Sequence, residues 1–393
     1  MWQKRKSLDV LPSGKVVLVG GNHHNGLGLA RAFSRGGIAT YGILMSPKSR
    51  NKNFIAYSNN WSDVYIAKDE NEVLGLLDEK FGKEHSKPVL LAFTDKAAAL
   101  LDRNLNVLAR KYIMPSIAME QGRIIDLMNK ERQGRLFRKL QLPFLETNII
   151  RLSSFQSATW EFPIILKPVA SIDGSKADIQ ICHDEPEISE AVASLEREGY
   201  QRILAQRFVS RKKEYVLIGA VAKKLMAYSL IRNIRQNPPK TGTGTFSQFE
   251  TSAHVHRFAR EVLHKIAEYG YSGPIDIEFW ETEDGFIMNE INWRSSGRNF
   301  VSQYTGISPE VLWYQAEIAE NKLYQEKSYA GEGTVMTEFA DFKNVVSGDI
   351  GFFQWIRDVK RCSAFSVWDF YDMRPFFAKI GIGILAQCSM QSN

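Results

Sequence analysis

The sequence predicts an α/β chain. A doubly wound parallel-sheet domain comes first, an α+β domain with a mainly antiparallel sheet second, and an aromatic-rich extension last. Three observations carry this. Strand-like and helix-like segments alternate over residues 15–115, the order a parallel sheet with crossover helices needs. From Met119 onward, strand-like runs gather in blocks between helices, as an antiparallel sheet with segregated helices requires. Beyond residue 328 the chain is crowded with Phe and Trp (GFFQWIRDVKR, AFSVWDFYDMRPFF). The expected divisions are therefore 1–118, 119–327 and 328–393.

The elements follow in order. KVVLVGG reads as a buried strand entering a Gly-rich turn, GLGLARAFSRGG as a helix with Gly at its end, and IATYGIL as the next strand. PVLLAF is a further strand, and TDKAAALLDRNLNVLARKY reads as one helix capped by Thr-Asp. The turn GGNHHNGLG does not match the dinucleotide fingerprint, and IATYGIL ends in Met45-Ser46 without a ribose-binding acid. A dinucleotide oxidoreductase is thereby disfavoured, and His23 and His24 read as exposed loop histidines beside a helix start. Further on, MNKERQGRLFRKLQL is an amphipathic helix stopped by Pro143, and EFPIILKPV an apolar strand ended by Lys-Pro. DIQICH is a strand, EPEISEAVASLEREG a helix, and RILAQRFVSRKKEYVLIGAVAKKLMAYSLI a strand, a bend and two more strands. The loop NPPKTGTGTF and the helix HRFAREVLHKIAEYG precede a final hairpin. The aromatic extension reads as helical, packing on the body of the protein.

Composition excludes several classes. At 393 residues the chain exceeds one ordinary core. Its 44% hydrophobic and 24% charged residues are globular values. A net charge of +6, with basic tracts no longer than QKRK and SRKKE, does not point to nucleic acid. Cys182, Cys362 and Cys388 are scattered without CxxC spacing, so disulfides and structural zinc are not expected and a reducing cytoplasm is. The N-terminus has no apolar signal core, and KIGIGILAQ is too short to span a bilayer. No membrane partner is expected. A homodimer through the first domain is the oligomeric expectation.

The hairpin GPIDIEFWETEDGFIMNEINW carries the chemistry. A three-residue loop at Glu283-Asp284-Gly285, with Gly left-handed, pairs residues whose numbers sum to 568. Glu278 then faces Glu290, and Asp276 faces Asn292, with Arg294 in phase. Like charges directly opposite across strands are destabilising, so the pair calls for a cation. Oxygen ligands of this kind suit Mg²⁺ or Mn²⁺. Alternation alone also fits a solvated face, because Ile275, Ile277, Phe279, Met288 and Ile291 already supply a core on the other side.

Other residues suit a nucleotide. Lys167 ends an apolar strand beside a loop with Gly174, Ser175 and Lys176, where backbone N–H groups and a point charge can cradle phosphate. Lys130 opens a helix and can reach the same phosphates or remain solvated. The bend QRFVSRKKE sets Phe208 and Val209 beside Gln206 and Glu214, the mixture a purine and its ribose need.

Taken in order, these elements resemble the ATP-grasp superfamily over residues 119–325, and the region before resembles the domain that precedes the grasp there. NGLGLARAF, TDKAAALLDRN and RNIRQNPPKTGTG are similar to the D-aspartate-ligase-like, carbamoyl-phosphate-synthase-like branch. Two departures stand out: the loop SIDGSK is poor in glycine, and Gln206 sits where an acid is common. The resemblance implies ATP and Mg²⁺ as cofactors, with metal at Glu278, Glu290 and Asn292 and Asp276 behind them. It implies nucleotide contacts at Lys130, Lys167, Gly174, Ser175, Lys176, Gln206, Phe208, Val209 and Glu214. Arg294 and Arg298 are expected at the transferring phosphoryl group and substrate carboxylate. Arg232 leads into a mobile cover at 241–245. The activity implied is ligation of a small-molecule carboxylate to an amine through an acylphosphate. Alternatives are a carboxyphosphate or carbamoyl-phosphate enzyme, or a non-catalytic ATP-binding module.

Overall fold

The computed structural model describes residues 14–155, 161–168, 179–239, 242–318 and 324–390. The chain forms two compact units. One comprises Met1–Ile125, Val216–Ile277 and Ile291–Asn393; the other comprises Asp126–Tyr215 and Glu278–Glu290. These units cut across the boundaries expected at 118/119 and 327/328.

In the first unit, Lys15–Gly20 pairs in parallel with Ala39–Met45 on one side and Val89–Ala92 on the other, and Asp63–Ala67 completes the sheet. Val16, Val17, Leu18 and Val19 are fully buried, as strands covered on both faces must be. Asp63–Ala67 and the helix Glu70–Phe81 were not anticipated; the strand is only five residues long, and charged residues mask the periodicity of the helix. The helix after Val89–Ala92 runs only from Asp95 to Arg103. Asn104 ends it, its amide donating to the Leu100 carbonyl at 2.9 Å, and one short turn, Leu105–Leu108, follows.

The same unit contains long antiparallel strands. Leu225–Asn237 pairs with Thr243–Phe249, with irregular register around Arg235. The aromatic extension is not simply helical, because it adds strands here. Gln325–Tyr329 runs parallel to Leu225–Asn237, Thr334–Met336 antiparallel to Thr243–Phe249, and Ala364–Phe365 parallel to Thr334–Met336. The buried Glu338 carboxylate accepts the N–H groups of Ser366, Val367 and Trp368 at 3.0, 3.0 and 2.7 Å. Arg31 and Asp372, both fully buried, pair at 2.9 Å, so the extension is anchored to the first helix, His24–Arg35.

The second unit is an antiparallel sheet in the order Thr147–Arg151, Arg202–Arg207, Ile164–Pro168, Gln180–Cys182. The helix Glu185–Arg197 buries Ile188, Ala191 and Leu195 in a core that also holds Ile164, Leu166, Ile203 and Ala205. Its start follows from sequence: the Asp184 side chain caps it and Pro186 occupies its first turn.

Candidate active site

The second unit gathers most of the expected nucleotide and metal residues. Lys130, capped by Asn129, begins the helix Lys130–Lys139 and is exposed. Lys167 lies on Ile164–Pro168 and pairs through its backbone with Leu204. Gly174, Ser175 and Lys176 lie outside the described residues. Gln206 pairs with Thr147 and Ile165, and its amide donates to the Leu145 carbonyl at 3.1 Å. Phe208 and Val209 follow half-buried, the Phe208 N–H donating to the Pro163 carbonyl at 2.8 Å. Glu214 forms an ion pair with Arg211 at 3.0 Å, and the Arg211 guanidinium lies 4.9 Å from the Trp280 ring centroid.

Glu278 and Glu290 belong to this unit and are half-buried. Glu278 accepts the Asn289 amide at 3.1 Å. The loop is shorter than expected, since strand Tyr271–Thr282 ends two residues before Gly285–Asn292 begins. Gly285, at φ +118°, is left-handed as predicted. Met288 and Ile291 are both buried. Their three-residue spacing means that strict alternation does not run through this strand. Beside the site, burial of neither glutamate is complete, whereas Glu281 accepts the Tyr215 hydroxyl at 2.6 Å and pairs with Lys213 at 3.0 Å. Those partners, the Tyr215 hydroxyl first, hold its carboxyl below the ordinary range.

The first unit holds the rest. Asp276 is buried and accepts the Asn292 amide at 3.3 Å and the Ser296 hydroxyl. The Ser296 oxygen accepts the Arg298 N–H at 3.0 Å. One carboxylate therefore orients the asparagine and the turn after it. Arg294 grips Asp95 with two bonds, 2.7 and 3.2 Å, and donates to the Ser295 carbonyl at 3.1 Å. Asp95 had been read as part of a helix cap; Thr94 alone caps, through the Ala97 N–H at 3.4 Å. Arg298 is buried and donates to the Ser247 hydroxyl at 2.9 Å and to the Gly244 carbonyl. Arg232 donates to Gln248 at 3.2 Å.

These contacts revise the expected cover over Thr243, Gly244 and Thr245; Thr241 lies outside the described residues. Thr243, Gly244 and Thr245 are not a loop but the start of a strand, with Thr243 opposite Asn237 and Gly244 opposite Gln236. Thr245 is buried and donates to Asp341 at 2.5 Å. A mobile lid cannot be made of residues committed to ladder bonds.

Of the two histidines, His23 is exposed at the helix start as expected, and only His24 differs. His23 caps the helix His24–Arg35. His24 is half-buried and its Nε2 lies 3.1 Å from the Gly297 carbonyl. Burial first, then His23, Lys379 and Arg298, hold the His24 imidazole well below its usual pKa. Asn299, which sequence reasoning missed, donates to the Asn25 carbonyl at 2.9 Å and the Ser295 hydroxyl at 3.1 Å. Gly28 makes room for it, since a Cβ there would lie 1.8 Å from the Asn299 oxygen. The second glycine of NGLG, Gly28, thus serves helix packing.

All three expected metal ligands present oxygen, which fits Mg²⁺. Asp276 takes the amide N–H of Asn292, so the Asn292 oxygen is the atom left to coordinate. Among the described residues, no group of three or more His, Cys, Asp and Glu side chains is placed to hold a metal ion; the expected set contains only two such side chains, Glu278 and Glu290. Burial pushes the thiols of Cys182 and Cys362 up to about 11 and about 12, which suits neither to nucleophilic catalysis near neutrality.

The parallel N-terminal sheet and the antiparallel sheets are consistent with the ATP-grasp fold that the sequence anticipated. The relatives agree. The chain is 28% identical over 207 residues to a D-alanine–D-alanine ligase of Campylobacter lari, covering 50% of this chain and 57% of that enzyme. It thus spans little more than half the length of that curated relative. In three dimensions it matches an N5-carboxyaminoimidazole synthetase from Staphylococcus aureus, with a TM-score of 0.64, 15% identity, and 89% and 88% of the two chains covered. That enzyme has also been solved with ADP. An L-amino acid ligase from Bacillus licheniformis matches with a TM-score of 0.57, 15% identity, and 77% and 74% covered. No protein-family model matches the sequence.

Proposed function

We propose that this chain is an ATP-dependent ligase that joins a small-molecule carboxylate to an amine. The observation that carries the reading is the buried contact of Asp276 with Asn292. A desolvated carboxylate spent on orienting an asparagine, two residues after Glu290, is what a metal-ligating run requires of its support. Glu278, Glu290 and Asn292 would hold Mg²⁺, which would neutralise phosphate charge. Lys130 and Lys167 would contribute positive charge toward the phosphates, Phe208 and Val209 would face the base beside Gln206, and Glu214 would accept ribose hydroxyls.

The substrate carboxylate attacks the γ-phosphorus of ATP, the bond to ADP breaks, and an acylphosphate results. The amine nitrogen then attacks the acyl carbon and phosphate leaves, its nitrogen losing a proton as the amide forms. Catalysis here is positioning and charge neutralisation. Arg294 and Arg298, held by Asp95 and by Ser247 and Gly244, would stabilise the oxygens that gain charge. Among the described residues no helix is long and apolar enough to cross a membrane, and we place the enzyme in the cytoplasm, acting on small molecules.

The test is a screen of amino-acid pairs for ATP-dependent phosphate release, with mass detection of the amide. Glu290→Gln should lower turnover at least ~100-fold with the fold intact, since it removes a ligand charge. Full Mg²⁺-dependent activity in that variant would remove Glu290 from the site. Phosphate release that depends on bicarbonate instead of an amino acid would favour the carboxyphosphate alternative.

A further inference from the structure

The helix Arg374–Met390 is apolar on both of its sides. Phe376, Ala378 and Ile382 pack inward against the core around the parallel sheet. Phe377, Ile380 and Ile384 are exposed, at 59%, 38% and 55%, and recur at the spacing of a single helical stripe. Phe370, Tyr371 and Met373, just before the helix, are exposed as well. A helix without a polar face is ordinarily buried all round, yet here the outer stripe meets solvent.

We propose that a second copy of this chain covers it, the two helices crossing at Gly381 about a twofold axis. Three features of the stripe fit a copy of itself. First, a Cβ added at Gly381 meets nothing within 4 Å, so the backbone there is open to close approach by a neighbouring helix. Second, in an antiparallel crossing at that point, Phe377 of one copy meets Ile384 of the other, four residues before the glycine against three after. A twofold contact needs such a self-complementary patch. Third, no charge opposes its own image. Lys379, the one cation within the helix's first half after Arg374, lies over the rings of Phe54 and Phe339 at 4.6 and 4.5 Å, away from the stripe.

The area is sufficient. At ~200 Å² for a large apolar side chain, the six exposed residues offer about 600 Å². Two copies then bury about 1,200 Å², the lower edge of stable, specific interfaces. The expected dimer through the first 118 residues is thereby moved to the C-terminal helix, independently of the ligase reading.

Sedimentation velocity of the full chain over a micromolar concentration series tests this. The wild-type chain should dimerise, and Ile380→Glu should raise the dissociation constant by about 100-fold or more, because it buries an unpaired carboxylate. Gly381→Leu separates fold from interface. The first side-chain carbon of leucine meets nothing within 4 Å in the single chain, and leucine forms helix better than glycine, so the thermal midpoint should hold or rise while dimerisation weakens. A monomeric wild-type chain, or either variant dimerising with the wild-type constant, overturns the proposal. So does a wild-type monomer that co-sediments with phosphatidylglycerol vesicles, which would make the stripe a lipid-facing surface.

Discussion

Replacing Asp276 by asparagine keeps the shape of a buried side chain and removes its charge. Asp276 is 5% exposed and accepts two donors, the Asn292 amide at 3.3 Å and the Ser296 hydroxyl. A hydrogen bond to a charged group is worth about 1.5–3 kcal/mol. The new amide also brings N–H groups against these donors, so at least one such bond should go. The thermal midpoint of the isolated protein should accordingly fall by a few degrees, on the order of 2–4 °C per kcal/mol. The larger effect should be on metal use. With its N–H unclaimed, Asn292 can turn its oxygen away, and losing the support of a metal ligand costs about 10–100-fold in affinity. The assay is a Mg²⁺ titration of phosphate release at saturating ATP. The apparent Mg²⁺ requirement should rise by that factor. A folded variant with wild-type Mg²⁺ dependence would refute the argument that Asp276 prepares Asn292 for a cation.

Three other outcomes follow from the same geometry. Lys167→Ala should weaken binding of ATP at least ~10-fold while leaving adenosine almost unaffected, and Glu214→Ala should do the opposite, both measured by calorimetry; equal losses would make either residue structural. Arg31→Met should cost about 3–5 kcal/mol in chemical denaturation, because it strands the fully buried Asp372; a loss under ~1 kcal/mol would show that Ser58 and the Asn59 N–H, at 2.6 and 3.1 Å, suffice for that carboxylate. His24 in the folded chain has a pKa well below 6.5, so the unfolded chain binds its proton first as pH falls. Its stabilising contribution is therefore full above about pH 6.5 and is lost as pH falls from there toward the folded pKa. His24→Asn cannot titrate, and urea midpoints followed from about pH 7.5 to about pH 5 should fall less steeply than in the wild type; an unchanged slope would exclude His24 as the source.

The repeating parts of the fold were legible because burial on both faces leaves a simple record. Lys15–Gly20 and Val89–Ala92 are runs of Val and Leu that admit one reading. Glu185–Arg197 announces itself with Asp184 and Pro186. Asp63–Ala67 was lost because it is only five residues long and its burial does not alternate. In the site, the individual residues were visible as types, but their partners were not. Nothing local to NWRSSGR says that Arg294 grips Asp95, 199 positions earlier, or that Arg298 bonds the strand holding Gly244 and Ser247. The cover was misread for a similar reason: Thr and Gly favour loops, but Thr243–Phe249 has a long partner strand that local composition does not reveal.

The ion pair of Arg31 with Asp372 also sets an order of events during synthesis. The first unit draws on three separate stretches of chain, and its first helix carries an arginine whose carboxylate lies 341 residues downstream. Until that residue leaves the ribosome, Arg31 must remain hydrated, and the strand positions later taken by Thr334–Met336 and Ala364–Phe365 stand empty. The other unit is complete once Glu290 has emerged. Residues 126–215 and 278–290 can therefore finish folding while residues 1–125 still wait for residues 291–393, a departure from the usual head-first order. Over that interval the nascent chain offers an unpaired strand edge at Thr243–Phe249, the kind of surface that invites holding by a chaperone.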